Sequence, residues 1–303
     1  FKGKGQIPDY HPLAGGVLGR SGTPIASWFM NECDLMLVLG ASFSKHTGMT
    51  PKKPTIQVDF DPLALAKFHQ IDCQLWGEIS VTVQMLTESL VGKMNTIDQK
   101  PELAERWKIW RVEKAKRLLE DRGQGVSSIA VFEAMNRLAP ENAVMCVDVG
   151  NNAYSFGRYY ESKSNNTFLM SGYLGSIGFA YPAALGAWAA VGDSRPIVAV
   201  AGDGGFGQYM AEISTAVKYN MNITLVLLNN SELGKISKEQ RAGEFDVWKT
   251  GLHNPDFAEF ARSCGALGFR VDEMGKSLDD AMKAAFGHHG PSVVEIITDV
   301  GLI

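Results

Sequence analysis

The stretch Pro196-Ile197-Val198-Ala199-Val200-Ala201-Gly202-Asp203-Gly204-Gly205 is an apolar run that breaks into glycines around one carboxylate. A second run, Ile223-Thr224-Leu225-Val226-Leu227-Leu228, breaks into Asn229-Asn230-Ser231-Glu232-Leu233-Gly234. The 24 residues from Gly205 to Leu228 have room for a turn, one helix and one strand. That length reads as a βαβ unit, whose two parallel strands end on the same edge of a sheet. Ligands of open α/β sheets sit just outside that edge. The pattern therefore predicts that Asp203 and Asn230 face each other across one ligand site, close to a helix N-terminus.

The residue types say what that site would hold. Asp and Asn offer hard oxygen donors, which suit Mg²⁺ or Ca²⁺ better than zinc. Mg²⁺ prefers one or two side-chain oxygens completed by water and phosphate oxygens. Gly202, Gly204, Gly205 and Gly207 let backbone N–H groups approach an anion, and the next helix adds its positive end. The two clusters suit a diphosphate held through a divalent metal. The competing reading is a βαβ unit whose Asp and Asn only cap turns.

Gly-Asp-Gly, about two dozen residues, then Asn-Asn resembles the fingerprint of thiamine diphosphate enzymes. The segment Ser171-Gly172-Tyr173-Leu174-Gly175-Ser176-Ile177-Gly178-Phe179-Ala180-Tyr181-Pro182 is similar to the one that precedes it in the acetolactate synthase and pyruvate oxidase branch. Cys146-Val147-Asp148-Val149-Gly150-Asn151-Asn152 resembles the first strand and loop of that family's diphosphate domain. The likeness runs across nearly the whole chain.

The resemblance implies roles. Asp203 and Asn230 would ligate the metal, with the backbone carbonyl of Glu232 as third protein ligand. Gly202, Gly204 and Gly205 would line the diphosphate. Gly150, Asn151 and Asn152 would line the same edge, unless they form an ordinary Asn-rich turn. Gly175, Ser176, Leu233 and Gly234 join the cofactor-binding set. Ile177 falls where relatives carry a bulky apolar side chain beneath the cofactor's two rings, a Met in acetolactate synthases. That prop bends the cofactor so that its aminopyrimidine nitrogen can take the thiazolium C2 proton, which is catalysis by proximity. Plain core packing is the other reading of Ile177. Glu239 falls where acetolactate synthases place a Trp and pyruvate oxidases a Glu, which favours an oxidase-like pocket. Lys235 departs from the oxidase pattern and could meet an acidic substrate group. Both charges could equally lie on an exposed helix surface.

Outward from the fingerprint, residues 127–303 read as one doubly wound, mostly parallel domain. Its strands are expected at Val144–Val147, Ile197–Ala201, Ile223–Leu228 and Val293–Ile297, with a short one near Phe269–Val271. Helices are expected at Ser128–Leu138, Tyr181–Val191, Tyr209–Tyr219, Asp256–Cys264 and Ser277–Phe286. Strand–helix alternation puts helices on both faces of the sheet. Residues 92–126 read as a linker whose charged stretch Pro101–Arg122 forms a solvated helix with one apolar edge. Residues 1–91 carry strand-like runs Leu35–Leu39 and Thr55–Val58 and helix-like segments Thr23–Cys33 and Ile79–Leu90. They resemble the second half of the family's Rossmann-like central domain, where the loop after Gly40 and the Asp59-Phe60-Asp61-Pro62 turn lie along FAD. Asp59 is either a partner for ribose hydroxyls or a cap for the next helix, and some relatives have lost the flavin.

Composition is ordinary for a globular protein, with 45% hydrophobic and 20% charged residues, so a sizeable core is expected. A net charge of −4 gives no nucleic-acid footprint. Cys33, Cys73, Cys146 and Cys264 are far apart and form no CxxC pair, which fits free thiols in a reducing, cytoplasmic compartment. No apolar run reaches membrane-spanning length. His11, His46, His69, His253, His288 and His289 match no ligand spacing. The family also needs a Glu from a pyrimidine-binding domain, which does not occur in these 303 residues. The expectation is a piece of a longer or two-part enzyme, completed by that domain from the same polypeptide or another subunit, in a homodimer or homotetramer. The resemblance implies a thiamine diphosphate- and Mg²⁺-dependent, pyruvate-oxidase-like decarboxylation of a 2-oxo acid such as pyruvate, with transfer of the active aldehyde. The alternatives are an acetolactate-synthase-like carboligase and a non-catalytic homologue.

Overall fold

The alternation of side chains along three short strands organises the larger half of the protein. In a computed structural model, which describes residues 1–41, 47–50, 52–93, 96–163 and 168–301, every odd and even residue of these strands goes to a different apolar layer. Met145, Val147, Val198, Val200, Val226 and Leu228 pack into one layer. Val144, Cys146, Ile197, Ala199, Ala201, Ile223, Leu225 and Leu227 pack into the other. A strand buried on both faces has to read as a continuous apolar run, and these do.

The chain begins with α1 (Pro24–Glu32), β1 (Met36–Leu39), β2 (Thr55–Asp59), β3 (Cys73–Trp76) and α2 (Ile79–Leu90). The three strands form a parallel sheet in the order β1-β2-β3. Then follow α3 (Lys100–Leu118), α4 (Ser128–Leu138), β4 (Val144–Val147), α5 (Asn151–Tyr159), β5 (Phe168–Leu169), α6 (Ala180–Val191), β6 (Ile197–Gly202) and α7 (Asp203–Phe206). The last elements are α8 (Ile213–Lys218), β7 (Ile223–Asn229), α9 (Gly234–Ala242), α10 (Phe257–Ser263), β8 (Leu267–Val271), α11 (Lys276–Phe286) and β9 (Ser292–Ile297). The second sheet runs β5-β4-β6-β7-β9-β8, and every pairing in it is parallel. Helices α4, α5 and α11 cover one face, and α6, α8 and α10 the other. This is the doubly wound α/β fold expected for residues 127–303.

Several expected elements change shape. The Gly150-Asn151-Asn152 loop is the start of a helix, with Gly150 at φ 136° as its cap. The helix expected over Tyr209–Tyr219 is a 3₁₀ turn, Met210–Glu212, leading into the shorter α8. The charged helix expected over Pro101–Arg122 ends at Leu118. Its Pro101 lies in the first turn, where a missing N–H costs nothing. The edge strands β3 and β5 carry too little apolar pattern to be read from sequence: β3 is mostly exposed and β5 has two residues. His46 lies outside the described residues. No helix among the described residues is long and apolar enough to cross a membrane.

Helix α3 is fastened to the larger sheet by buried charge. Lys114 is 5% exposed and donates to Glu133 at 2.9 Å and Glu161 at 2.5 Å. Burial pulls the Lys114 pKa down, but the two carboxylates outweigh it and hold the ammonium above its usual value. Arg111 donates to the other oxygen of Glu161 at 2.8 Å. Removing one member of such a set strands the others away from water. Lys114→Met should therefore cost about 3 kcal/mol of stability, read as a lowered urea midpoint at unchanged slope.

Candidate functional site

A helix start carries backbone N–H groups with no partner inside the helix, and a side-chain cap normally takes one of them. Thr23, Glu78, Ser127 and Asp256 do this for α1, α2, α4 and α10. The other seven helices among the described residues have no side-chain cap, and these include α5, α7 and α9. All three begin at the C-terminal edge of the larger sheet, after β4, after β6 and after β7. Their first residues line one cavity of about 340 Å³. The walls include Gly150, Asn151 and Asn152 from α5, Gly202, Asp203, Gly204 and Gly205 from α7, and Leu233, Gly234 and Lys235 from α9. Gly175 and Ile177 close it from the loop before α6, and Asn230 and Glu232 from the turn after β7.

Two glycines are needed for this convergence. A Cβ on Gly204 would sit 2.6 Å from Leu233 Cδ2, and one on Gly234 would sit 2.8 Å from Asn151 Nδ2. Both positions form the floor of the cavity, where any side chain would fill the space. Asn151 Nδ2 is itself buried and has no hydrogen-bond partner among the described residues. A buried amide donor left open, beside three uncapped helix starts, fits an anion.

The oxygen donors follow from the double Asn. Asn229 turns inward: its amide donates to Glu295 at 2.7 Å, and its oxygen accepts from Ser231 N–H at 3.2 Å. Asn230 lies in the cavity wall, and its oxygen accepts the Glu232 N–H at 3.0 Å. Ser231 adopts φ 55° between them. The loop after α9 is held against this turn by Leu233 N–H to Thr250 O and Leu252 N–H to Ser231 O, both 2.8 Å. It delivers Asn254, whose amide donates to Asp203 Oδ2 at 2.7 Å and to Asn229 Oδ1 at 2.9 Å. Burial raises the Asp203 pKa, against the pull of Asn254 and the backbone N–H groups of Gly204 and Ser231. Asp203 and the Asn230 turn thus meet at one rim. The Asp203 carboxylate, the Asn230 oxygen and the Glu232 carbonyl are all of the kind Mg²⁺ takes, so the residues present fit a metal-bound diphosphate.

The sequence reading named most of these walls and missed some. Ile177 is in the cavity and 42% exposed, not part of the core. Ser176 is outside the lining; its N–H is spent on Ser171 Oγ at 3.1 Å. Glu239 is also outside, on the exposed side of α9, paired with Lys235 at 2.6 Å. Asp59 ends β2 in the other sheet, with its carboxylate accepting the Asp61 N–H at 3.0 Å. Asn254, Ser128, Thr298 and Asp299 belong to the site or its support and lie outside any motif. Asp148 was quoted only as part of the first strand, yet it holds the Ile177 loop. Its carboxylate accepts the N–H groups of Gly178 at 2.8 Å and Phe179 at 3.1 Å. A Cβ on Gly205 would overlap its other oxygen. One buried carboxylate therefore sets the spacing between the Ile177 loop and the α7 turn.

Two family models match the chain. One describes the C-terminal TPP binding domain of thiamine pyrophosphate enzymes and covers residues 148–296. The other describes the central domain of the same enzymes and covers residues 1–86. YdaP of Bacillus subtilis, named as a thiamine pyrophosphate-containing protein, is 34% identical over 301 residues, covering 97% of this chain and 50% of its own length. The acetolactate synthase large subunit of Haemophilus influenzae is 30% identical, over 92% of this chain and 50% of its own. The large subunit of acetolactate synthase isozyme 3 of Escherichia coli is 27% identical, over 93% and 51%. The chain spans about half the length of these curated relatives. It belongs to the thiamine pyrophosphate (thiamine diphosphate) enzymes.

Burial pushes the Asp148 pKa up to about 6 from an ordinary 3.8, against three backbone donors. Between those two values the unfolded chain has lost the proton and the folded chain has kept it. Folding is then disfavoured by about 1.4 kcal/mol per pH unit, and the penalty is constant above about pH 6. Urea unfolding from pH 4 to 7 should show the stability difference between the wild type and Asp148→Asn moving toward the variant as pH rises to about 6, then levelling.

Proposed function

We propose that this thiamine diphosphate enzyme decarboxylates a 2-oxo acid such as pyruvate and passes the remaining aldehyde unit to an acceptor. The observation that carries this is the meeting of three uncapped helix starts with Asp203 and Asn230 around one cavity. Bound thiamine diphosphate supplies a carbon nucleophile and an electron sink. The chain's own residues would do the rest. The N–H groups at Gly204, Gly205 and Asn151 would take the diphosphate oxygens. Asp203, Asn230 and the Glu232 carbonyl would hold Mg²⁺. Ile177 would support the rings from below. A pyrimidine-binding domain, from the same polypeptide or a partner in a dimer or tetramer, would complete the pocket. The four free cysteines fit a cytoplasmic setting.

Two acceptors compete. An oxidase-like reading passes electrons onward, with FAD held by the central domain, and rested on Glu239. That residue is outside the cavity lining, 57% exposed and paired with Lys235, which is in it. A carboligase reading passes the aldehyde unit to a second 2-oxo acid, and the named acetolactate synthase relatives favour it.

Assays on the full-length protein with thiamine diphosphate and Mg²⁺ decide. Pyruvate should be consumed, and colorimetric acetolactate without dye reduction selects the carboligase, whereas dye reduction selects the oxidase. A folded protein silent on several 2-oxo acids would overturn the proposal. Asp203→Ala should weaken thiamine diphosphate binding at least about 100-fold, as expected when a metal ligand is lost, in a titration followed by tryptophan fluorescence.

A further inference from the structure

Beside the cofactor cavity lies a second pocket of about 190 Å³ whose lining contains no carboxylate. One stripe of α5 forms its floor: Asn151, Tyr154, Ser155 and Arg158, spaced three and four apart. Helix α9 contributes Lys235 and Lys238, one turn apart. Arg20, from the loop before α1, closes the third side. That loop is pinned to α5, because Arg158 donates to the Arg20 carbonyl at 2.9 Å and the Gly22 carbonyl at 3.4 Å.

Four cations therefore surround one small space. Among the described residues, Arg20, Arg158 and Lys238 make no ion pair with a carboxylate. Lys235 has Glu239, on the exposed side of α9. That exposed pair is weak and easily exchanged. Three of the four cations thus have no carboxylate partner among the described residues; like charges so gathered repel one another, and an entering anion relieves the repulsion. Asn151 and Lys235 line both pockets, so the second opens beside the first.

We propose that this pocket is an oxyanion subsite that takes a carboxylate or phosphate group of a reactant other than the cofactor. The assignment as a reactant subsite rests on the function proposed above; the anion binding does not. The volume admits one such group and is too small for a nucleotide. Two sources share the chemistry: the distal carboxylate of a dicarboxylic 2-oxo acid, and free phosphate.

The probes are inorganic phosphate and succinate, titrated calorimetrically into the protein with and without saturating thiamine diphosphate and Mg²⁺. Saturable binding that persists with the cofactor present is expected. Arg20→Ala and Lys238→Gln, neither in the cofactor cavity, should each weaken it about ten-fold and leave cofactor affinity unchanged. Tighter phosphate selects free phosphate, and tighter succinate selects the carboxylate tail. No saturable binding, or variants that bind both probes as the wild type does, would overturn the subsite. Loss of probe binding in the variants together with no cofactor binding by the wild type would sink the proposed function instead, and leave an anion site standing.

Discussion

Three helix starts without a side-chain cap, gathered at one edge of the sheet, are the constraint around which this site is arranged. A helix start is normally closed by a side chain, and four helices of this protein obey that rule. Seven among the described residues do not, and of these α5, α7 and α9 are the ones whose starts the parallel sheet brings to one edge. The parallel pairing is what makes the convergence unavoidable, since strands β4, β6 and β7 all end there. Capping residues at Gly150, Gly202 or Leu233 would satisfy the helices and occupy the place of an anion. Their absence leaves that place open.

Such openness needs rigid support, and buried polar side chains supply it. On one side a chain of contacts runs from Arg270 through Glu295, Asn229 and Asn254 to Asp203. Each link satisfies a group that would otherwise be buried and unpaired, so none can be removed without cost to its neighbours. On the other side Asp148 holds Gly178 and Phe179 and abuts Gly205. The cavity walls are thus fixed from the core outward, and side chains at the rim need not rearrange to define its shape.

The parts of this plan that depend on local pattern were legible in the sequence. β6 and β7 read as apolar runs because both faces of each strand are buried, and the 24-residue spacing between their ends allows little besides one helix. What depends on distant contacts was not legible. Asn254 is one Asn in a polar loop, and only the pairing of Leu233 with Thr250 and Leu252 with Ser231 carries it to Asp203. Asp299 follows the last strand with no motif around it. Position along a helix does not by itself say which side chains reach the cavity: Lys235 lines it, and Glu239, four residues later, pairs with Lys235 from outside the lining. Asn151 and Asn152 have turn-like composition, yet the positive φ of Gly150 lets α5 begin directly after them.

Charge balance narrows what the larger cavity can hold. Three helix starts by themselves would attract any anion. Asp203 stands among them, and a bare diphosphate would be repelled by its carboxylate. Burial already disfavours the ionised form of Asp203, as its raised pKa records. Under the function proposed above, a divalent cation held by Asp203 and Asn230 would relieve both conflicts by supplying positive charge between carboxylate and phosphate. The neighbouring Arg20, Arg158 and Lys238 pocket contains no acid in its lining and needs no such mediator. On the two proposals the adjoining spaces would take different guests, one a metal-bound phosphate pair and the other an anionic group met directly by cations. Lys235, shared between them, is the side chain through which occupancy of one would be felt in the other.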